Sequence, residues 1–362
     1  MPSLRLLADD LTGALDTSAE LVGRFGALEV CWSASSIAPN LSSFAIDSGT
    51  REQSSDQAFA IVHDLAHRLS GATIAYKKID SLLRGPWIAE LDACLRIGTW
   101  DACILAPAFI HQGRRTINGQ QYARAADGSW SPVGEKIVEQ LREQKLPARQ
   151  SSASAGLQPG INVFDAQTDD DLERIVETGR SYSGKVLWCG SGGLAGALAG
   201  RSAVPVSHEL KGPVLGVFGT DHRTTLLQLA ACERVVIRSE GIARDLDRIS
   251  KALEKGVAFV KLDVPSAASR DEVAQRFSRE IALLSRSIEP PGSLIIAGGE
   301  TLKAQMVAVG ARALRVIGRL EPGIPKSVIE GGNWSGVEVI SKSGAFGTAD
   351  VLRKVLKQNG LI

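Results

Sequence analysis

Residues 1–16 read MPSLRLLADDLTGALD, and their reading decides the fold. The apolar run over residues 4–8 has the length of a buried strand and stops abruptly at two aspartates, Asp9 and Asp10. An aspartate is a favoured helix N-cap, because its side chain accepts orphan backbone N–H groups and its charge suits the helix dipole. A helix is therefore expected to begin near Thr12. One aspartate is enough for capping. The second stands at the carboxyl end of a strand, where open α/β sheets place their ligands.

The same strand-then-helix rhythm runs through the chain. Short β-rich runs (LRLLAD, ALEVCWS, SFAID, TIAYKKID, ACILAPAF, INVFDAQ and VLWCGS) alternate with amphipathic stretches, then PVLGVFGT, RVVIRS, VAFVKLD, SLIIAGGE, ALRVIGRL and GVEVISKSG repeat the pattern. That alternation predicts mostly parallel sheets flanked by helices. At 362 residues the chain is long enough for two domains of ~150 residues each. The proline- and glycine-containing segment RSAVPVSHELKGP interrupts the rhythm and sets the expected boundary, with domains at 1–203 and 204–362. Residues 147–160, PARQSSASAGLQPG, read as a surface loop within the first domain.

Forty-one Lys plus Arg against 40 Asp plus Glu leave a net charge of +1, so no overall field argues for a nucleic-acid or membrane partner. The five cysteines are scattered in apolar runs and read as small core hydrophobes in a reducing compartment. His63 and His67 read as a solvated helix face rather than a zinc site. No apolar run approaches the ~20 residues of a membrane span, and the expected location is cytoplasmic.

Three turns in the second domain suit phosphate. Gly298, Gly299, Glu300 and Thr301 follow one strand; Gly219 and Thr220 follow another; Ser343, Gly344, Gly347 and Thr348 precede the last helix. Glycine lets backbone N–H groups approach a ligand closely, and a helix N-terminus adds partial positive charge. A rival is VLWCGSGGLAGALAG, where Gly190, Gly192 and Gly196 approximate a dinucleotide turn, although the third glycine is one residue late. It would serve an NAD(P)-dependent oxidoreductase of a small hydroxy acid. A non-catalytic sugar-acid sensor is the other alternative.

The first domain gathers charge at its strand ends: Lys78, Asp80, Ser81 and Arg84 in TIAYKKIDSLLRGPW, Asp47, Thr50 and Arg51 in FAIDSGTREQSS, and Arg114 and Arg115 in PAFIHQGRRTINGQQY, which reads as a loop. Such cations and hydroxyls describe a pocket for a small polar anion, since the Arg fork donates two parallel bonds to a carboxylate.

ADDLTGA, KKIDSLLRG, PAF..QGRRTINGQQY, GGET and KSGAFG, in that order over nearly the whole chain, resemble the four-carbon acid sugar kinase family. The resemblance implies an N-terminal sugar-acid-binding domain, a C-terminal nucleotide-binding domain and an active site in the cleft between them. It implies ATP-dependent phosphorylation of the terminal hydroxyl of erythronate, threonate or an oxo-tetronate-type acid, with Mg²⁺ accompanying ATP and its protein ligands unassigned. By the same resemblance Asp9, Asp10, Arg51, Lys78, Ile79, Asp80 and Ser81 face the acid, with Arg84 a further candidate. Thr220, Gly298, Gly299, Glu300, Thr301, Ser343, Gly344 and Gly347 face ATP. Chemistry then asks one aspartate to cap the first helix and the other to take the hydroxyl proton. Asp10 is the favoured base and Asp9 the alternative. A homodimer is a further expectation.

Overall fold

The computed structural model describes residues 3–38, 40–125, 127–200, 206–263 and 270–362. The chain divides into two compact units, Met1–Val204 and Pro205–Ile362; the boundary expected between residues 203 and 204 lies outside the described residues.

The first unit contains strands β1 (Leu4–Ala8), β2 (Leu28–Cys31), β3 (Phe44–Asp47), β4 (Ile74–Lys78), β5 (Ala102–Ala106), β6 (Arg114–Ile117), β7 (Gln120–Arg124), β8 (Trp130–Val133), β9 (Ala148–Ser151), β10 (Gly160–Phe164) and β11 (Val186–Gly190). Its helices are α1 (Leu11–Phe25), α2 (Ser55–Ala66), α3 (Trp87–Arg96), α4 (Ile137–Glu143), α5 (Asp169–Arg180) and α6 (Gly192–Ala199). Eight strands pair in parallel in the order β2-β3-β1-β4-β11-β5-β10-β9. Central strands β4 and β5 are buried along their whole length, as a sheet covered by helices on both faces requires. One face packs on α2, α3 and α4, whose Val62, Leu91, Ile137 and Leu141 join a single apolar cluster with Leu7, Leu105 and Leu187. Helices α1, α5 and α6 pack together. All five cysteines are free and buried.

Two expectations for this unit need correction. The GRRTINGQQY stretch is a hairpin, not a loop: β6 and β7 pair antiparallel through Asn118 and Gly119, both at positive φ, with β8 added alongside. An Asn-Gly pair is the turn that matches the twist of the flanking strands. Within 147–160, residues 148–151 form β9, a short polar strand on the sheet edge. Its alternation is too brief to be distinguished from a loop by periodicity.

The second unit contains β12 (Val214–Phe218), β13 (Val236–Ser239), β14 (Val257–Leu262), β15 (Ser293–Ala297), β16 (Ala313–Glu321), β17 (Ile324–Glu330) and β18 (Glu338–Lys342), with α7 (Arg223–Ala230), α8 (Ile242–Glu254), α9 (Arg270–Ser287), α10 (Gly299–Ala308) and α11 (Val351–Gln358). The order is β13-β14-β12-β15-β18-β17-β16. The first five strands are parallel, while β17 is antiparallel to both its neighbours. Strand β17 was not among the sequence expectations: its Pro325 and Lys326 obscure the apolar run. Both units are thus α/β. No helix among the described residues is long and apolar enough to cross a membrane.

Candidate active site

Strands β1, β3 and β4 lie side by side, with Ala8 opposite both Asp47 and Lys78, so the residues that follow them meet at one sheet edge. Asp10 is the N-cap of α1: its Oδ1 accepts Gly13 N at 3.0 Å and its Oδ2 accepts the Thr12 hydroxyl at 2.6 Å. Arg51 crosses the cluster. Its Nε donates to Asp9 Oδ2, its Nη2 to Asp10 Oδ1 at 2.8 Å, and its Nη1 lies 3.4 Å from Asp80 Oδ1. Thus a single guanidinium binds three carboxylates. Asp9 also fixes the Arg51 loop through its backbone, its carbonyl accepting Thr50 N and Arg51 N at 3.1 Å each.

The aspartates differ in access. The Asp9 side chain is 2% exposed and its Oδ1 is buried without a hydrogen-bond partner among the described residues, whereas the Asp10 side chain is 25% exposed. Burial pushes the Asp9 carboxyl up, but Arg51, with Lys78 and Lys77 behind it, holds it below the usual range. The same contest at Asp80 ends far on the ionised side, through Arg84 and Arg51. Arg51 loses by desolvation and gains more from Asp9 and Asp10, so its charge is secure.

Asp80 also shapes its own loop. Its Oδ2 accepts Leu82 N and Arg84 N at 3.2 and 3.3 Å, and Arg84 closes on it bidentately at 2.7 and 2.9 Å. Gly85, at φ +78°, brings this loop against the Arg51 carbonyl, where an added Cβ would sit at 2.6 Å. Ser81 is buried and its carbonyl accepts Gln121 Nε2 at 2.7 Å. Ile79 belongs elsewhere: its side chain is fully buried in the apolar cluster and its amide donates to Gly190 O. Lys78 is 4% exposed and its ammonium makes no hydrogen bond or ion pair among the described residues. It lies beside Asp10, for a Cβ on Gly13 would be 2.8 Å from Lys78 Nζ and 2.5 Å from Asp10 Oδ1.

Glu90 and Asp16 escaped the sequence reading, and the role of Lys77 was legible there only as one of the charges at a strand end. Lys77 Nζ lies 2.7 Å from Glu90 Oε2 in a fully buried ion pair, and Glu90 Oε1 accepts the Thr50 hydroxyl at 2.6 Å. Together they tie α3 to the residue preceding Arg51. Asp16, buried on α1, has its carboxyl pushed up to about 6 by desolvation. A charged residue at helical spacing gives no signal of burial when its helix is enclosed on most faces.

In the second unit the three glycine turns converge. Phe218, Ala297 and Lys342 are register neighbours at the ends of β12, β15 and β18. A Cβ on Gly344 would lie 2.7 Å from Thr220 Oγ1 and 3.1 Å from His222 Cβ, and one on Gly298 would lie 3.2 Å from Thr301 Oγ1 and 3.6 Å from Thr220 Cβ. Gly219 likewise abuts Thr301. Gly298 caps α10 at φ 102°, leaving Gly299, Glu300 and Thr301 as its first turn, with Glu300 exposed. The Ser343–Thr348 loop is clamped from α7: Thr225 Oγ1 donates to Gly344 O at 2.8 Å and Gln228 Nε2 to the carbonyls of Phe346, Gly347 and Thr348. Gly347, at φ +84°, packs between Ile324, Val351 and Gln228.

The profile of a sugar-binding N-terminal domain matches residues 4–151, and that of a nucleotide-binding C-terminal domain matches residues 216–352. The D-threonate kinase of Cupriavidus necator is 31% identical over 96% of this chain and 95% of its own. This chain belongs to the four-carbon acid sugar kinase family. It is an acid sugar kinase. The D-threonate kinase of Bordetella bronchiseptica is 28% identical over 97% of this chain and 96% of its own. A crystal structure of a Haemophilus influenzae protein shares the fold, at a TM-score of 0.72 and 18% identity over 99% of this chain and 100% of that one.

The rival dinucleotide turn has a packing explanation in this acid sugar kinase. Cβ atoms on Gly190 and Gly192 would lie 2.5 Å from Ala106 O and 2.9 Å from the Phe109 ring, and Ser191 Oγ donates to Ala108 O at 2.8 Å. Its glycines let α6 start hard against the segment after β5.

Lys342, at the head of the Ser343 turn, is buried, and desolvation lowers its ammonium to about 7. It donates to Thr225 Oγ1 at 3.0 Å and Ser343 O at 2.9 Å, with no carboxylate among its hydrogen-bond partners. Between that value and the ordinary 10.5 the unfolded chain binds more protons, so stability rises with pH. Urea titrations at pH 7 and pH 9 should show the wild type gaining about 2 kcal/mol relative to Lys342→Met. Parallel profiles would mean that Lys342 titrates alike in both states.

Proposed function

We propose that this kinase transfers the γ-phosphoryl group of ATP to the terminal hydroxyl of a four-carbon sugar acid, with a threonate-type acid first among substrates. The observation that carries the reading is the cluster at the β1, β3 and β4 ends. There a partly accessible Asp10 and Lys78, an ammonium without an ion pair among the described residues, stand side by side in the unit that matches a sugar-binding domain. An alcohol does not ionise at pH 7, so a carboxylate must accept its proton during transfer. Asp10 takes that role because Asp9 is shut from solvent beneath Arg51. The cap and the base thus fall on one residue rather than being divided between the pair. Lys78 offers positive charge to the acid or to the group being transferred. Arg51 and Arg84, committed to Asp9, Asp10 and Asp80, hold the carboxylates in place. Ser81 follows Asp80 in the same loop.

The residues of the second unit fit ATP. A cradle in which a Cβ on Gly344 would clash with Thr220 and Gly298 holds φ +102° brings Thr220, Gly299, Thr301 and Ser343 to one edge, and the α10 N-terminus supplies positive potential for phosphate. Among the described residues no three His, Cys, Asp or Glu side chains cluster tightly enough to hold a metal. Exposed Glu300 is the carboxylate of these turns that would meet a Mg²⁺ ion carried on the nucleotide. When bound, that ion neutralises charge on the β- and γ-phosphates. The D-threonate kinases named above support threonate over its isomers. The test is ADP release, in a coupled assay with ATP and Mg²⁺, across threonate, erythronate, their oxo analogues, and five- and six-carbon acids. Turnover confined to four-carbon acids is expected; turnover only of longer acids, or none, would overturn the reading.

A further inference from the structure

Building on that reading, we infer that Arg114 on β6 binds the substrate carboxylate and fixes which end of the acid faces Asp10. Arg51 and Arg84 are the cations that sequence places at an anion, yet both are spent on protein carboxylates. Arg114 is different. Its guanidinium makes no ion pair among the described residues, and both of its side-chain hydrogen bonds leave from Nη1, to Gln112 O at 2.8 Å and Gly113 O at 3.0 Å. The Nε–Nη2 edge therefore donates to nothing among the described residues, although Nε is buried. A buried donor without an acceptor is costly in a native fold, and this edge is the one that binds a carboxylate through two parallel bonds.

The neighbours give the position. Arg114 is attracted by Asp80 and repelled by Arg84. Arg51 spans from Asp10 at one end of its fork to Asp80 at the other, and the hairpin that carries Arg114 is tied through Gln121 to the Ser81 carbonyl, next in sequence to Asp80. An acid whose hydroxyl reaches Asp10 would extend its carboxylate toward Arg114. The mount is rigid. Fully buried Gln121 accepts the Thr116 hydroxyl at 2.7 Å and donates to Ser81 O at 2.7 Å, riveting the hairpin to the Asp80 loop. Asp165 accepts the amides of Asn118 and Gly119 at 2.7 and 2.9 Å. Arg115 points to the other face, where it stacks on Trp130 with 3.8 Å to the ring centroid.

The test compares wild type, Arg114→Gln and Arg114→Lys on threonate and on threitol, which carries a hydroxymethyl group in place of the carboxylate. For Arg114→Gln, KM for threonate should rise about tenfold or more, with kcat/KM for threitol and KM for ATP near wild type. Arg114→Lys should fall between the two. Equal losses on acid and alcohol would mean that Arg114 only supports the fold, and an unchanged threonate KM would mean that the carboxylate lies elsewhere; either overturns the inference. If wild type phosphorylates no four-carbon acid, the substrate reading fails separately. Calorimetric titration of threonate then decides: weaker binding by Arg114→Gln upholds the inference, and equal or absent binding overturns it.

Discussion

Asp10→Asn is expected to lower kcat by ~10²-fold or more while the fold and the KM for ATP stay near wild type. Asparagine is isosteric and is itself a good N-cap, so its side-chain oxygen still accepts Gly13 N and can accept from Arg51. What it loses is the negative charge beside Arg51, the second acceptor oxygen that meets Thr12, and the ability to take a proton. The loss of the last should appear in turnover rather than in stability, because only the transition state calls on that ability. Steady-state kinetics with circular dichroism separate the two. Unchanged turnover would remove Asp10 from the mechanism and leave Asp9 as the remaining candidate, despite its buried position under Arg51.

The largest effect on stability is expected at Glu90. Replacement by Leu leaves the Lys77 ammonium, which is 0% exposed, without its counter-ion and removes the acceptor of the Thr50 hydroxyl. Stranding one member of a buried pair costs about 3–5 kcal/mol, whereas removing both is often close to neutral. Glu90→Leu should lose stability of that order, and Lys77→Met combined with Glu90→Leu should recover most of it. A double-mutant cycle in urea measures the coupling directly. Desolvation lowers the Lys77 ammonium, but Glu90 and Asp9 together raise it above its ordinary value, so Lys77 is charged in the folded protein. A single-variant cost below about 1 kcal/mol, the range of an exposed pair, would show that water or another group takes over the charge. Since Thr50 precedes Arg51, the Leu variant is also expected to loosen the loop that delivers the guanidinium to Asp9 and Asp10.

The strand ends were legible because the signals there are local. LRLLADD places a strand, a stop and a capping aspartate within a few residues; the structure shows that the cap is Asp10, the residue the sequence reading favoured as base. The glycines of GGET and KSGAFG mark turns by conformational need, and β12, β15 and β18 bring those turns together. The NG turn of the β6–β7 hairpin was equally local, and reading it as a loop overlooked a signal the residues carry.

Sequence alone determined the alternation of strands and helices, a capping aspartate from the Asp9–Asp10 pair and the set of chemically able side chains at the strand ends, since each depends on residues within a turn or two of one another. Tertiary structure decided which of those side chains are engaged. Arg51 meets Asp9 at 42 positions' separation and Asp10 at 41, and Thr50 meets Glu90 at 40. Those pairings follow from strand register and loop path, which periodicity does not encode. Burial then sets their charge: desolvation is the largest influence on Asp9, Asp16, Arg51 and Lys342 alike, and whether it prevails depends on whether an opposite charge arrives from a distant part of the chain. It does for Asp9 and Arg51; for Asp16 and Lys342 desolvation wins.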